Sequence, residues 1–194
     1  MEIDLRPGFC VFAIILAALD RAGSLLPIAC AMLLHELGHM AAMLACGADI
    51  RRLTLRFADL RIDAAGLGYR QELLCALTGP LVNLACGLLC RRAGVFAACS
   101  LVLGIYNLLP VLPLDGGRAI HCALLCRFPP ARADALSRAV SFAACGALLA
   151  AGIWLCFVRK SGLWPLGTAA YFTIRLIWLQ KQENPPCNSP MHML

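Results

Sequence analysis

The feature that most constrains this chain is a series of apolar runs, each close to the length that a helix needs to cross a membrane. A spanning helix requires about 20 mostly apolar residues, with a range of roughly 17–25. Charged residues make up only 14% of the 194 residues, and the mean hydropathy is +0.77. A water-soluble domain of this size has too little interior to bury so much apolar surface. The sequence therefore predicts an all-α membrane protein.

About six transmembrane helices are expected. The runs that predict them are Phe9–Leu19, Ser24–Cys46, Leu73–Cys90, Ala93–Leu112, Ala139–Val158 and Gly162–Leu179. The first run is short enough to be the apolar core of a signal peptide instead of a full span. We interpret it as a short first span, because no small-residue cleavage site follows it and the residues before it are not predominantly basic.

The net charge of +6 is explained by the orientation of the chain in the membrane. If the N-terminus is cytoplasmic and six helices follow, most of the 17 Lys and Arg residues lie in cytoplasmic segments. This asymmetry is the one that the positive-inside rule predicts. We therefore expect a multi-pass membrane protein with both termini in the cytoplasm, and no nucleic-acid partner.

One interruption of the apolar pattern predicts a small β-hairpin between helices 2 and 3. In the segment Gly47–Gly68, Leu53, Leu55 and Phe57 alternate with polar residues, and a second alternation follows around Ile62. Alternation with a period of two is typical of a half-buried strand. An exposed strand edge here would receive an extended peptide, and a purely structural hairpin is the alternative interpretation.

A second interruption, Pro110–Ser137, is rich in proline and glycine and is expected to be irregular. Irregular backbone at membrane depth persists only where protein or water satisfies its polar groups. Its first part, Pro110–Arg118, is therefore expected to line a cavity. The polar tail, residues 182–194, is expected to be disordered.

A His-Glu-x-x-His motif, from His35 to His39, lies inside the second apolar run. On a helix, residues four apart share a face, so the two imidazoles can bind one zinc ion. Glu36 lies beside them and can accept a proton from a water that zinc activates. In a soluble helix such a motif is commonly a set of surface residues. At bilayer depth ionisable side chains are costly and indicate function.

Asp115 is the best candidate for a third ligand, since catalytic zinc usually has three protein ligands. It follows the fourth apolar run and precedes Gly116 and Gly117, which let the backbone turn the carboxylate inward. The alternative is that Asp115 only caps the next helix, because Asp is a preferred N-cap residue. His35 and His39 alone leave a catalytic zinc site one protein ligand short, which favours the interpretation of Asp115 as a ligand.

Three motifs in the same order resemble those of the site-2 protease family of intramembrane zinc metalloproteases. They are His35-Glu-Leu-Gly-His39, Thr78-Gly-Pro-Leu-Val-Asn83, and Asn107-Leu-Leu-Pro-Val-Leu-Pro-Leu-Asp115-Gly-Gly. The resemblance covers about residues 24–125. Within the family, the chain is similar to the compact, sporulation-type branch, without a CBS or PDZ domain.

The resemblance implies a role for each matching residue. His35, His39 and Asp115 would bind one Zn²⁺ ion, and Glu36 would be the general base. Asn107 and Asn83 would then position the substrate backbone or a developing oxyanion. For both asparagines an interhelical hydrogen bond is the alternative.

The implied function is that of an intramembrane zinc endopeptidase acting on membrane-embedded or membrane-associated proteins, such as a pro-protein or an anti-sigma factor. The expected partners are the substrate protein, the lipid bilayer and a regulatory membrane protein. Residues 1–181 would form the protease domain. A membrane zinc transporter is disfavoured, because the third, fifth and sixth spans carry almost no acidic or histidine residues. A catalytically silent scaffold is disfavoured, because every motif position is intact.

Overall fold

The computed structural model describes residues 2–5, 23, 25–56, 59–158 and 164–183, and this part of the chain is mainly helical. The helices are α1 (Leu25–Ala45), α2 (Tyr69–Leu89), α3 (Val95–Asn107), α4 (Asp115–Leu125), α5 (Pro130–Phe157) and α6 (Trp164–Glu183). A short 3-10 helix, Arg91–Ala93, separates α2 from α3. The strands are β1 (Glu2–Leu5), β2 (Asp49–Arg56) and β3 (Asp59–Ala65).

The three strands form one sheet with β2 as its central strand. β2 and β3 lie between α1 and α2 in the chain, whereas β1 precedes α1. The chain leaves α1 through Gly47, whose φ of 77° is in the left-handed region that favours glycine after a helix. β2 pairs antiparallel with β3, from Asp49 opposite Ala65 to Arg56 opposite Asp59. β1 pairs parallel with β2. This parallel pairing is a long-range contact that the sequence pattern did not indicate.

Three helices in the described part of the chain, α1, α2 and α5, are long and apolar enough to cross a membrane. They correspond to the second, third and fifth predicted runs, so the expectation of a mainly helical membrane chain is met at this coarser level. The first predicted run, residues 9–19, lies outside the described residues, as does most of the tail. The sixth run forms α6, which is not one of these three helices. The number of six spans stays a prediction.

The predicted fourth span, Ala93–Leu112, is wrong in its extent. Its helix, α3, has only 13 residues and ends at Asn107. With a rise of about 1.5 Å per residue, it covers roughly 20 Å, which is less than the ~30 Å of a hydrocarbon core. The chain leaves the helix just before Pro110, which cannot continue regular helical hydrogen bonding. The helix alone is therefore too short to cross the hydrocarbon core.

The predicted irregular segment Pro110–Ser137 is also wrong, because most of it is helical. α4 occupies Asp115–Leu125, and α5 begins at Pro130, nine residues before the predicted start at Ala139. Proline is favoured in the first turn of a helix, where its missing N–H is not needed. The Pro129–Pro130 pair therefore begins a helix in this chain.

The turn between α3 and α4 is anchored by a small hydrophobic core. Val111 is completely buried and packs with Cys145 of α5 and with Phe172 and Leu176 of α6. The backbone N–H of Leu112 donates a hydrogen bond of 3.1 Å to the hydroxyl of Ser141 in α5. Because this turn is held from two sides, the start of α4 has a defined position.

Candidate metal centre

The two histidines of the motif lie near the middle of α1 and point to the same side. His35 and His39 are buried, and their Nε2 atoms are 3.1 Å apart. Their rings meet edge to face, with an angle of 84° between the planes. The i, i+4 spacing on a helix produces this arrangement, as the sequence predicts.

Asp115 completes a three-membered cluster with these histidines. Its Oδ2 atom lies 2.9 Å from Nε2 of His35 and 3.2 Å from Nε2 of His39. The carboxylate is buried, and Asp115 is the first residue of α4, following Leu114 at the N-cap position. The N-cap position of α4 is therefore occupied by Leu114 and not by Asp115. The alternative interpretation of Asp115 as a simple helix cap is therefore not what the structure shows.

The two glycines after Asp115 allow the start of α4 to approach the preceding backbone. A Cβ atom on Gly116 would overlap the carbonyl group of Leu108. A Cβ atom on Gly117 would lie 2.5 Å from the carbonyl carbon of Val111, too close for two carbon atoms. The glycine pair is therefore needed for close packing, and this packing directs Asp115 toward α1.

Helix α2 fixes the orientation of His39. The Nδ1–H group of His39 donates a hydrogen bond of 2.7 Å to the carbonyl oxygen of Cys75. When Nδ1 carries the proton, the lone pair of Nε2 faces the cluster, as a metal ligand requires. Gly79 provides the space, because a Cβ atom there would lie 2.6 Å from Cε1 of His39.

The two predicted asparagine positions differ in their surroundings. Asn83 of α2 is completely buried, and its Nδ2 atom lies 3.2 Å from Nδ1 of His35. Asn107 is only partly buried, and its Nδ2–H group donates a hydrogen bond of 3.1 Å to the carbonyl oxygen of Leu103 in α3. The structure thus places Asn83 against the cluster, whereas the hydrogen bond of Asn107 lies within its own helix.

Two charged residues flank the cluster. Glu36 is partly buried next to His35, and its charge acts on His39. The Nη1 atom of Arg118 lies 3.7 Å from Oδ1 of Asp115, on the side away from the histidines. Arg118 was not among the residues predicted for the metal centre. Its position three residues after Asp115, at the start of a helix, was the available signal.

The cluster fits a zinc ion in both donor chemistry and spacing. Two imidazole nitrogens and a carboxylate oxygen are common zinc ligands. The three atoms are separated by 2.9, 3.1 and 3.2 Å. Ligand atoms 2.0–2.1 Å from a tetrahedral zinc ion lie roughly 3.3 Å apart, so little movement is needed for binding. Three protein ligands leave the fourth position open, as in catalytic zinc sites.

The fold is similar to one that has been solved for a helical membrane protein. The structure is similar to that of the site-2 protease from Methanocaldococcus jannaschii, with a TM-score of 0.62 and 17% identity. The similarity covers 99% of this chain and 94% of that chain. Residues 87–148, which include Asp115, match the profile of Peptidase family M50. The family match thus covers less than half of the chain.

A curated relative extends the sequence similarity to more of the chain. The chain is 26% identical over 172 residues to stage IV sporulation protein FB of Bacillus subtilis (strain 168). The matched region covers 81% of this chain and 59% of the relative. The chain thus spans less than two thirds of the length of that protein.

Proposed function

We propose that this chain is a zinc-dependent intramembrane endopeptidase. The observation that supports the proposal most strongly is the convergence of His35, His39 and Asp115, whose donor atoms all lie within 4.8 Å of one another. Ionisable side chains are expensive at membrane depth and are retained there for function. The match of residues 87–148 to Peptidase family M50 supports the same chemistry.

Three residues would hold the metal, and a fourth would move a proton. His35, His39 and Asp115 are the proposed ligands of one Zn²⁺ ion. Zinc, when bound, supplies a Lewis acid that polarises the carbonyl group of the scissile bond and favours ionisation of water. Glu36 accepts the proton of the attacking water and passes it to the leaving amide nitrogen, as a general base and then a general acid.

The substrate must reach the site as an extended chain, because helical backbone keeps its carbonyl groups in hydrogen bonds. β3 is an edge strand of the described sheet and would pair with such a segment. Asn107 lies at the end of α3, eight residues before Asp115, and would contact the substrate backbone. These two elements are the proposed substrate-positioning groups.

The proposed substrates are membrane-embedded or membrane-associated proteins, including a pro-protein or an anti-sigma factor. The chain would lie in a bacterial cell membrane with both termini in the cytoplasm, and a regulatory membrane protein would control it. Residues 1–181 would form the protease domain, with the catalytic core in about residues 24–125. The Bacillus relative is a stage IV sporulation protein, which supports a sporulation-type substrate for this chain without identifying one.

The proposal is tested with the purified full chain in lipid vesicles that also contain single-span reporter proteins labelled at both ends. We expect one zinc ion per chain, cleavage within or near the span of a reporter, loss of cleavage with a zinc chelator, and recovery when zinc is restored. Cleavage that continues in a chain stripped of metal would overturn the zinc mechanism. A chain that binds no zinc would overturn it as well.

A further inference from the structure

The carboxamide of Asn83 has an unusual position for a substrate-binding group. The residue is completely buried in α2, and Nδ2 lies 3.2 Å from Nδ1 of His35. Its other polar atom, Oδ1, is also buried and has no hydrogen-bond partner among the described residues. A buried amide oxygen without a partner costs roughly 1–3 kcal/mol. This cost suggests a second state of the protein in which Oδ1 accepts a hydrogen bond.

The chemistry of the two side chains defines that state. A neutral imidazole carries one proton, so one ring nitrogen donates and the other accepts. The observed contact suits the tautomer of His35 with the proton on Nε2. In that tautomer Nε2–H donates to Oδ2 of Asp115 at 2.9 Å, and Nδ1 accepts from Nδ2–H of Asn83.

Metal binding requires the other tautomer. A metal ion on Nε2 of His35 needs the lone pair of that nitrogen, so the proton must reside on Nδ1. Nδ1–H would then face Nδ2–H of Asn83, and two donors repel each other. A half-turn of the carboxamide exchanges its two ends and brings Oδ1 to Nδ1. In the metal-bound state, Oδ1 of Asn83 would thus accept a hydrogen bond from Nδ1–H of His35.

We propose that Asn83 is a positioning residue for His35, with its carboxamide accepting Nδ1–H whenever Nε2 is bound to the metal. This inference rests on the proposed zinc function and assigns Asn83 to the metal centre instead of the substrate. It also gives the two histidines equivalent surroundings in the metal-bound state. His39 directs Nδ1–H to the carbonyl oxygen of Cys75, and His35 would direct Nδ1–H to Oδ1 of Asn83. Helix α2 therefore orients both imidazoles.

The main experiment measures metal affinity of the full chain in lipid nanodiscs, by competition with a chelator for Zn²⁺ and by the visible absorption of bound Co²⁺. Asn83→Leu keeps the size of the side chain but removes the acceptor, and should lower the affinity by about 10–100-fold, the usual effect of losing an outer partner of a ligand. Asn83→Asp keeps an acceptor and should retain tight binding. Ser100→Ala is the matched control, because Ser100 is also completely buried and its Oγ lacks a hydrogen-bond partner among the described residues.

A second measurement needs no variant, so it remains decisive if Asn83→Leu does not fold. Nitrogen-15 NMR of ring-labelled histidine, above the ordinary histidine pKa of about 6.5, should show the proton of His35 on Nε2 without metal and on Nδ1 with zinc. Wild-type affinity in Asn83→Leu, an equally large loss in Asn83→Asp, or an unchanged tautomer would each overturn the inference. Absence of zinc binding by the unmodified chain would instead overturn the proposed function.

Discussion

Oδ2 of Asp115 lies 2.9 Å from Nε2 of His35, although the two residues are 80 positions apart in the chain. The contact joins the first residue of α4 to the middle of α1. It depends on a short α3 and on a turn held by Val111, which is completely buried. The geometry of the candidate metal centre therefore depends on the packing of several helices. Single substitutions can test the contribution of each contact.

Replacement of Asp115 by alanine removes one of the three donor atoms. Asp115→Ala should weaken zinc binding more than loss of an outer partner does, hence by more than about 100-fold. Equilibrium competition with a chelator measures the change. Asp134→Ala is the control, since Asp134 is only partly buried and its carboxylate pairs with His121 instead of with His35 or His39. Unchanged zinc binding in Asp115→Ala would remove this residue from the ligand set.

A methyl group on Gly79 should displace the His39 ring. The Cβ atom of Gly79→Ala would lie 2.6 Å from Cε1 of His39, so the ring must move and its hydrogen bond to Cys75 must lengthen. We expect weaker zinc binding and a changed Co²⁺ spectrum. Gly146→Ala is the control, because a Cβ atom there would meet no atom within 4 Å among the described residues outside the adjacent backbone of its own helix. It should bind zinc normally and be slightly more stable, as alanine is preferred to glycine in helices by about 1 kcal/mol.

A pair of serines in α5 tests how the turn before Asp115 is anchored. Ser137 and Ser141 are equally buried, but only Ser141 accepts the backbone N–H of Leu112. Ser141→Ala leaves that N–H without its partner and should reduce the free energy of unfolding by about 1–3 kcal/mol. Ser137→Ala should have little effect, since its hydroxyl has no partner within the described part of the chain. Equal effects in denaturant unfolding would contradict the anchoring role.

Arg118 should contribute only weakly to the metal centre. Its guanidinium lies 3.7 Å from Oδ1 of Asp115, and 53% of its side chain is exposed to the surroundings. Exposed ion pairs contribute about 0.2–1 kcal/mol, so Arg118→Met should change zinc affinity by no more than about fivefold. A loss as large as that of Asp115→Ala would show that Arg118 holds the carboxylate in place.

The sequence predicts the site better than it predicts the backbone that carries it. His35 and His39 are recognisable because four residues on a helix always return to the same face. The prediction of Asp115 rested on the need for a third ligand and on the two glycines that follow it. In the structure these glycines are required for close contact with Leu108 and Val111, and not only for a turn of the backbone.

The remaining features depend on long-range contacts, which leave no periodic signal. Pro110 accounts for the end of α3 near Asn107, but the position of the turn that follows depends on the packing of Val111 against α5 and α6. The acceptor for His39 is the backbone carbonyl of Cys75, and every residue has such a group. The contact between Asn83 and His35 depends on how α1 and α2 align, which spacing in one helix does not reveal.

The most direct test of the account is cleavage of a labelled single-span reporter by Glu36→Gln in lipid vesicles, with zinc content measured on the same sample. Glutamine has the size of glutamate but cannot accept the proton. General acid–base catalysis contributes about 10²–10⁴-fold, so cleavage should fall by at least about 100-fold. Zinc content should stay at one ion per chain, and Asp134→Asn should cleave normally. Full cleavage by zinc-loaded Glu36→Gln would contradict the proposed mechanism.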